Sequence, residues 1–195
     1  MKICFTLDEV LRAKLNAAAK YYKKSQKPDF ELGEVTTYDY NKIFDFKTKN
    51  GLTKFLYEDY VFEIFGEAEE CSPLLDKTFN LWLLENTENN EDYDDIEVMF
   101  ANPREFNASI GCTYFFLSKI ASRVREVYLP KDSSTIWDKC DVLVTADPKL
   151  IEEKPEGKKV VKIKTTFNGD IDADFTYDSL ADLLRDGDFI KNIHA

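Results

Sequence analysis

The sequence predicts an open three-layer α/β fold, with a mainly parallel sheet covered by helices on both faces and a helical segment inserted after the first strand. Three observations predict it. The chain opens on a short apolar run, residues 2–7, that feeds directly into helically spaced residues. From residue 96 onward, strand-like and helix-like segments alternate regularly, which implies right-handed crossovers and parallel pairing. Between these regions, residues 27–95 have a different texture, rich in Tyr, Phe, Asp and Glu.

Taken in order, residues 2–7 read as a buried strand. Residues 8–24 carry Val10, Leu11, Leu15, Ala18 and Tyr22 at helical spacing. Asn50-Gly51 is a turn signal. After it, Leu52, Phe55, Leu56, Tyr60, Phe62 and Phe65 recur at helical spacing, and so do Leu74, Leu75, Phe79, Trp82 and Leu83. These predict two helices, breaking near Gly66 and near Glu85. Residues 85–95 set acids among Asn and Thr, which is the composition of a solvated connection; they lack the fixed glycine and spacing of a calcium loop. Residues 96–101 then read as a strand, 103–123 as a long helix, 124–129 as a strand and 133–139 as a short helix. Residues 141–145 read as a strand, 148–153 as a helical turn, 160–165 as a strand and 177–184 as a terminal helix. The core therefore comprises residues 1–11 and 95–195, and residues 12–94 form an inserted helical cap. There is no internal repeat.

Composition narrows the function classes. A chain of 195 residues, 44% hydrophobic, with fifteen Phe and ten Tyr and few Gly or Pro, has enough apolar surface for one substantial core. The net charge of -11 repels a phosphate backbone, so no nucleic-acid partner is expected. Lys158, Lys159, Lys162 and Lys164 alternate with Val160, Val161 and Ile163, as on the solvated face of a strand, where lysines also discourage edge pairing. Cys4, Cys71, Cys112 and Cys140 are widely spaced, fit no C-x-x-C motif and follow no signal peptide, so free thiols in the cytoplasm are the expectation. No apolar run approaches the roughly 20 residues that span a bilayer. The only histidine, His194, is one residue from the end, and no G-x-G-x-x-G or Walker loop is present.

In an open parallel sheet, ligands bind beyond the carboxyl ends of the strands. Those ends carry Thr6 and Asp8, then Ala101 and Asn102, then Lys131, then Ala146 and Asp147. The opening box Thr6-Leu7-Asp8-Glu9-Val10 resembles the first motif of the haloacid dehalogenase-like (HAD) superfamily, Asp-x-Asp-x-Thr/Val. The order and spacing of the remaining elements look most similar to its 5'(3')-deoxyribonucleotidase-like branch. The resemblance implies a Rossmannoid core with a cap after the first strand. It places Thr6 where the nucleophilic Asp belongs and Asp8 where its acid-base partner belongs. It places Ala101 or Asn102 at the phosphate-holding hydroxyl, Lys131 at the charge-neutralising lysine, and Ala146 and Asp147 at the acids completing a magnesium site.

Asp8, Lys131 and Asp147 agree with that pattern, whereas Thr6, Ala101 with Asn102, and Ala146 depart from it. A threonine hydroxyl without an adjacent base is a poor nucleophile and a weaker magnesium ligand than a carboxylate. No catalytic residue is therefore expected, Thr6, Asp8 and Lys131 being vestigial positions. Asp8 and Asp147 are the only metal ligands left, a poor pair without a substrate phosphate. No cofactor is expected, with Mg2+ as the alternative.

Helix capping accounts for the same residues. Thr6-x-x-Glu9 and Asn102-Pro103-Arg104-Glu105 have the form of capping boxes, and Asp147-Pro148 that of an N-cap before proline. Lys131 precedes a further cap at Asp132-Ser133. Two functions from different classes follow. One is a non-catalytic HAD-like domain that binds other proteins, or itself in an assembly, through an aromatic-rich insertion (Tyr57, Tyr60, Phe62, Phe65, Phe79, Trp82) and an acidic surface. The alternative is a metal-dependent phosphohydrolase, nucleotidase-like, with an altered site at Asp8, Asp147 and Lys131. The first is the expectation. The bias toward Lys, Asn, Asp, Tyr and Phe is that of AT-rich genomes, including bacteriophages, and suggests a virion or assembly component.

Overall fold

The computed structural model describes residues 1–88, 96–120 and 123–194. The described residues form one sheet of six strands: β1 (Lys2–Thr6), β2 (Glu97–Ala101), β3 (Glu126–Tyr128), β4 (Val142–Thr145), β5 (Lys159–Ile163) and β6 (Phe175–Tyr177). Their order is β3-β2-β1-β4-β5-β6, and every pairing is parallel. The chain moves outward from β1 to β3, then returns to the other side of β1 at β4. The switch point of this doubly wound order lies between β1 and β4, which is where such sheets open a crevice for ligands.

The helices are α1 (Lys14–Ser25), α2 (Tyr40–Ile43), α3 (Gly51–Lys54), α4 (Leu75–Leu83), α5 (Ala108–Lys119), α6 (Pro148–Glu152), α7 (Leu180–Arg185) and α8 (Phe189–His194). Because successive strand side chains point to opposite faces, β1 sends Ile3 and Phe5 to one side and Cys4 to the other. The first side is closed by α4, α5, α7 and α8, through Phe79, Trp82, Phe116, Leu183 and Phe189. The second is closed by Ile136, Trp137, Leu150 and Ile151. The four cysteines are free.

The insertion divides by packing. Leu15, Ala18, Tyr22, Phe44, Phe55, Leu56, Ile64 and Phe65 form a cluster of their own. In contrast, Leu75, Phe79, Trp82 and Leu83 of α4 belong to the sheet's core, where Phe5 meets Phe79 edge-on at 5.1 Å and Trp82 at 5.7 Å. Gly66 ends the π-helical segment Phe62–Gly66 where it crosses α5; an added Cβ would stand 3.2 Å from the Phe62 ring and 3.3 Å from the Cys112 carbonyl.

Several sequence expectations are corrected. The helix expected from residue 8 begins at Lys14, because Glu9 adopts a φ of 62° and the Leu7 carbonyl accepts N–H groups from both Leu11 and Arg12, closing a tight turn. The helix expected over 103–123 starts at Ala108, since Arg104 (φ 64°) and Asn107 (φ 53°) both stand in the left-handed region. Residues 121 and 122, which it was to include, lie outside the described residues. The connection expected at 85–95 begins as a π-helical turn, Leu84–Glu88, continuing α4; its remainder lies outside the described residues. The terminal helix expected over 177–184 is preceded by an edge strand, β6, and followed by α8. β5 is therefore an inner strand, and the connection leading to β6 buries Lys162, whose ammonium donates to the carbonyls of Asn168, Gly169 and Ile171.

Candidate functional site

The parallel register sets the site. Thr6 pairs with Ala101 across to β2, so the next residues, Leu7 and Asn102, also lie side by side. The Asn102 Oδ1 accepts the Leu7 N–H (3.2 Å) and the Asp8 N–H (3.0 Å), clamping the turn after β1 to the end of β2. Its Nδ2 donates to Asp8 Oδ2 at 3.0 Å and to Glu105 Oε1 at 2.9 Å. Asn102 is thus a cross-strand clamp and not the N-cap of a following helix. On the other side, Phe5 pairs with Val144, which brings Thr6 against Thr145. The Thr6 hydroxyl donates to Thr145 Oγ1 (3.1 Å) and the Val144 carbonyl (3.4 Å), and the capping box with Glu9 does not form. Instead Glu9 accepts the Leu15 N–H at 2.7 Å.

Asp8 is buried and held by four donors. Arg12 places Nε and Nη2 on Asp8 Oδ1 at 2.9 and 2.6 Å, while Lys14 Nζ reaches Oδ2 at 2.7 Å beside the Asn102 amide. Arg12, fully buried, also donates to Glu105 Oε1 (2.8 Å), Thr113 Oγ1 (2.7 Å) and the Phe65 carbonyl (3.0 Å). The Phe65 ring faces both cations, 5.0 Å from the Arg12 guanidinium and 4.4 Å from Lys14 Nζ. Two anions and two cations therefore balance in a site largely closed to water, which only Lys14 joins to the cleft above. Burial alone would raise the Asp8 carboxyl, but the charges of Arg12 and Lys14, with hydrogen bonds from Lys14 and Asn102, outweigh it and hold it well below the usual carboxylate range. Burial likewise opposes the charge on Arg12, yet Asp8 and Glu105 hold it more firmly protonated than a free arginine. Glu9 is pushed the other way: burial, with the Asp8 charge nearby, lifts it to about 7 despite the Leu15 N–H and the two cations.

Above this network lies a cleft of about 960 Å³ between the insertion and the strand ends. Lys131, Asp147, Lys14, Arg104, Tyr38 and Tyr57 are among its walls. Asp147 caps α6, accepting the Lys149 N–H at 3.0 Å with Pro148 at the first helical position, so the N-cap reading holds there. Its other oxygen pairs with the Arg104 guanidinium, which lies under the Tyr38 ring at 5.1 Å. Burial raises the Asp147 carboxyl, with Arg104 and the α6 N–H groups opposing. Tyr57 donates its hydroxyl to the Arg104 carbonyl at 2.9 Å and stacks on Phe106, so the insertion is tied to the loop after β2.

Of the sequence-predicted residues, Lys131 and Asp147 reach the cleft, whereas Thr6 and Asp8 are buried and are not among its walls. The magnesium ion implied by the HAD-like resemblance does not fit this arrangement. Both Asp8 oxygens are committed to Arg12, Lys14 and Asn102, both Asp147 oxygens to Arg104 and the α6 backbone, and magnesium demands a near-octahedral set of oxygens. Among the described residues, no three His, Cys, Asp or Glu side chains are placed to share a metal. No helix among them is long and apolar enough to cross a membrane.

The functional residues that sequence reasoning missed are cations: Arg12, Lys14 and Arg104. A signal existed for Arg12, which lies four residues after Asp8 and is enclosed by apolar Val10, Leu11 and Leu15. Arg104 carried none, because its position depends on the backbone turning left-handed after Pro103. No protein-family model matches this chain, and no curated protein matches its sequence.

Proposed function

We propose that this chain is a non-catalytic domain of HAD-like ancestry that works as a structural or protein-interaction subunit. The observation that carries the reading is the commitment of Asp8. An acid-base group must exchange a proton with substrate, and this one is buried, held ionised by two cations and absent from the walls of the cleft. The Thr6 hydroxyl hydrogen-bonds into β4, to Thr145 and the Val144 carbonyl, with no base bonded to it among the described residues. An α/β fold outlasts the chemistry of a few residues, so its ancestry does not require activity. The AT-rich bias of the composition supports a bacteriophage virion or assembly component as the setting.

The test is phosphatase activity toward p-nitrophenyl phosphate and nucleoside monophosphates, with and without magnesium. No turnover above the buffer blank is expected, and Thr6→Asp is expected to gain none, since Arg12 and Lys14 still occupy Asp8. Magnesium-dependent turnover that disappears in both Lys131→Ala and Asp147→Asn would establish the alternative, an altered phosphohydrolase.

A further inference from the structure

The α5 helix contains no charged residue before Lys119, in a chain of which 32% is charged. Its inner face is buried through Ser109, Thr113, Phe116 and Leu117. Its outer face is apolar as well: Ile110, Tyr114 and Phe115 are 37%, 51% and 43% exposed, with Gly111 and Ser118 between them. Phe62, 42% exposed on the π-helical segment of the insertion, lays its ring 5.1 Å from that of Phe115 and extends the surface across two elements. Helices that are apolar all round are ordinarily covered, yet these four side chains are open among the described residues. Single exposed hydrophobics need no explanation, whereas a contiguous set of aromatic and aliphatic side chains on a rigid helix marks an interaction site.

The border identifies the partner's chemistry. Glu63 follows Phe62 directly on its π-helical segment, Glu58 lies four residues before it on the preceding π-helical turn (Phe55–Asp59), and Glu67 caps the segment's end. The charge of Glu63 reaches Cys112 on α5, and those of Glu67 and Glu70 reach Lys119. The only cation on α5, Lys119, stands exposed at the end of the helix, near the rings of Phe116 and Phe115, and is engaged by the Ala68 carbonyl and by the charges of Glu67 and Glu70. An apolar centre whose border carries more glutamates than lysines, Lys119 being already engaged by Glu67 and Glu70, in a molecule of net charge -11, repels a second copy of itself and attracts the opposite pattern. We infer that the outer face of α5, together with Phe62, docks a positively charged amphipathic segment of another protein, its apolar side on Tyr114, Phe115 and Phe62 and its basic residues toward Glu63 and Glu67. The inference rests on the protein-interaction reading and names the surface and partner chemistry for it.

A fluorescein-labelled amphipathic Leu/Lys peptide tests this by anisotropy, with a Leu/Glu peptide of the same pattern as comparison. The Leu/Lys peptide is expected to bind the full chain and the Leu/Glu peptide not to bind. The double variant Tyr114→Ser/Phe115→Ser should weaken binding roughly tenfold or more, as loss of central aromatics does. Phe62→Ser, on a separate element, should also weaken it, and Glu63→Lys/Glu67→Lys should abolish it. Equal binding by the aromatic variants would overturn the inference, leaving only attraction to the acidic surface as a whole, and so would equal binding of both peptides or of neither. A dimer in light scattering that Tyr114→Ser dissolves would overturn it in favour of a second copy. Failure here with phosphatase activity absent leaves the non-catalytic reading standing, whereas magnesium-dependent turnover defeats that reading whatever the peptide does.

Discussion

Asp8 shows how far a residue's setting in the fold can differ from what its neighbours in the chain suggest. The resemblance of its sequence box would make it an acid-base group; in the fold it is one of two anions in a four-charge cluster with Arg12, Lys14 and Glu105. Such clusters add little net stability over apolar packing, but removing one partner strands the others in a dry site. Arg12→Met should therefore lower the unfolding free energy by about 3–5 kcal/mol in urea titrations. A loss below about 1 kcal/mol would show that water screens the cluster. Glu9 supplies a second residue-scale prediction. Its carboxyl titrates near 7 in the fold against 4.5 ordinarily, so the folded state binds the proton more tightly. Its contribution to stability is full below about pH 4.5 and is lost as pH rises toward 7. Glu9→Gln keeps the acceptor for the Leu15 N–H, and should raise Tm at pH 8 while leaving it unchanged near pH 4.

Capping signals succeeded where the following backbone was helical and failed where tertiary pairing claimed the same side chain. Asp147-Pro148 and Asp132-Ser133 cap as their sequences suggest, each carboxylate accepting an N–H two residues on. Thr6 and Asn102 do not, because parallel pairing with β4 and β2 puts better partners beside them than their own chains offer. That choice is invisible in a linear sequence, since residues 6 and 145, or 7 and 102, become neighbours only through register. Asn102→Ala would leave the Leu7 and Asp8 N–H groups buried without an acceptor, each costing about 1–3 kcal/mol. Loss of an ordinary cap costs about 1 kcal/mol. The Asn102→Ala loss, measured by chemical unfolding, should therefore exceed that of Asp132→Ala. Lys162 illustrates the same limit: alternation on β5 is legible, but a solvated Lys162 requires an open sheet face, and the connection to β6 closes over it with the carbonyls of Asn168, Gly169 and Ile171.

At the scale of the whole molecule, the insertion and the sheet share a core. Phe79 and Trp82 pack on Phe5, and Phe79 on Phe100, so α4 covers the sheet face that any truncation would bare. Replacing residues 12–94 by a short linker should therefore give no cooperative unfolding transition and an aggregating chain. A monomeric, cooperatively unfolding product would show that the strands and C-terminal helices suffice. Acid stability follows from the buried cluster. The Asp8 carboxyl is depressed below its ordinary 3.8, so its contribution is present above that value and is lost as pH falls through the folded one. Unfolding followed by circular dichroism should accordingly set in below about pH 4, and in Asp8→Asn the stability remaining should vary less with pH there.

The sequence by itself determined the class of the fold, five of the six strands, the alternation that buries them and the stretch from which the aromatic insertion is made. Those properties follow from periodicity, which neighbouring residues carry. Only the tertiary structure decided that Asp8 is neutralised by Arg12 and Lys14, that Arg104 pairs with Asp147, that α4 belongs to the sheet's core and that α5 leaves an apolar face open. Each of these is set by which distant segments meet and how completely they exclude water, so burial and register, and not residue type, determine what a charged or aromatic side chain does here.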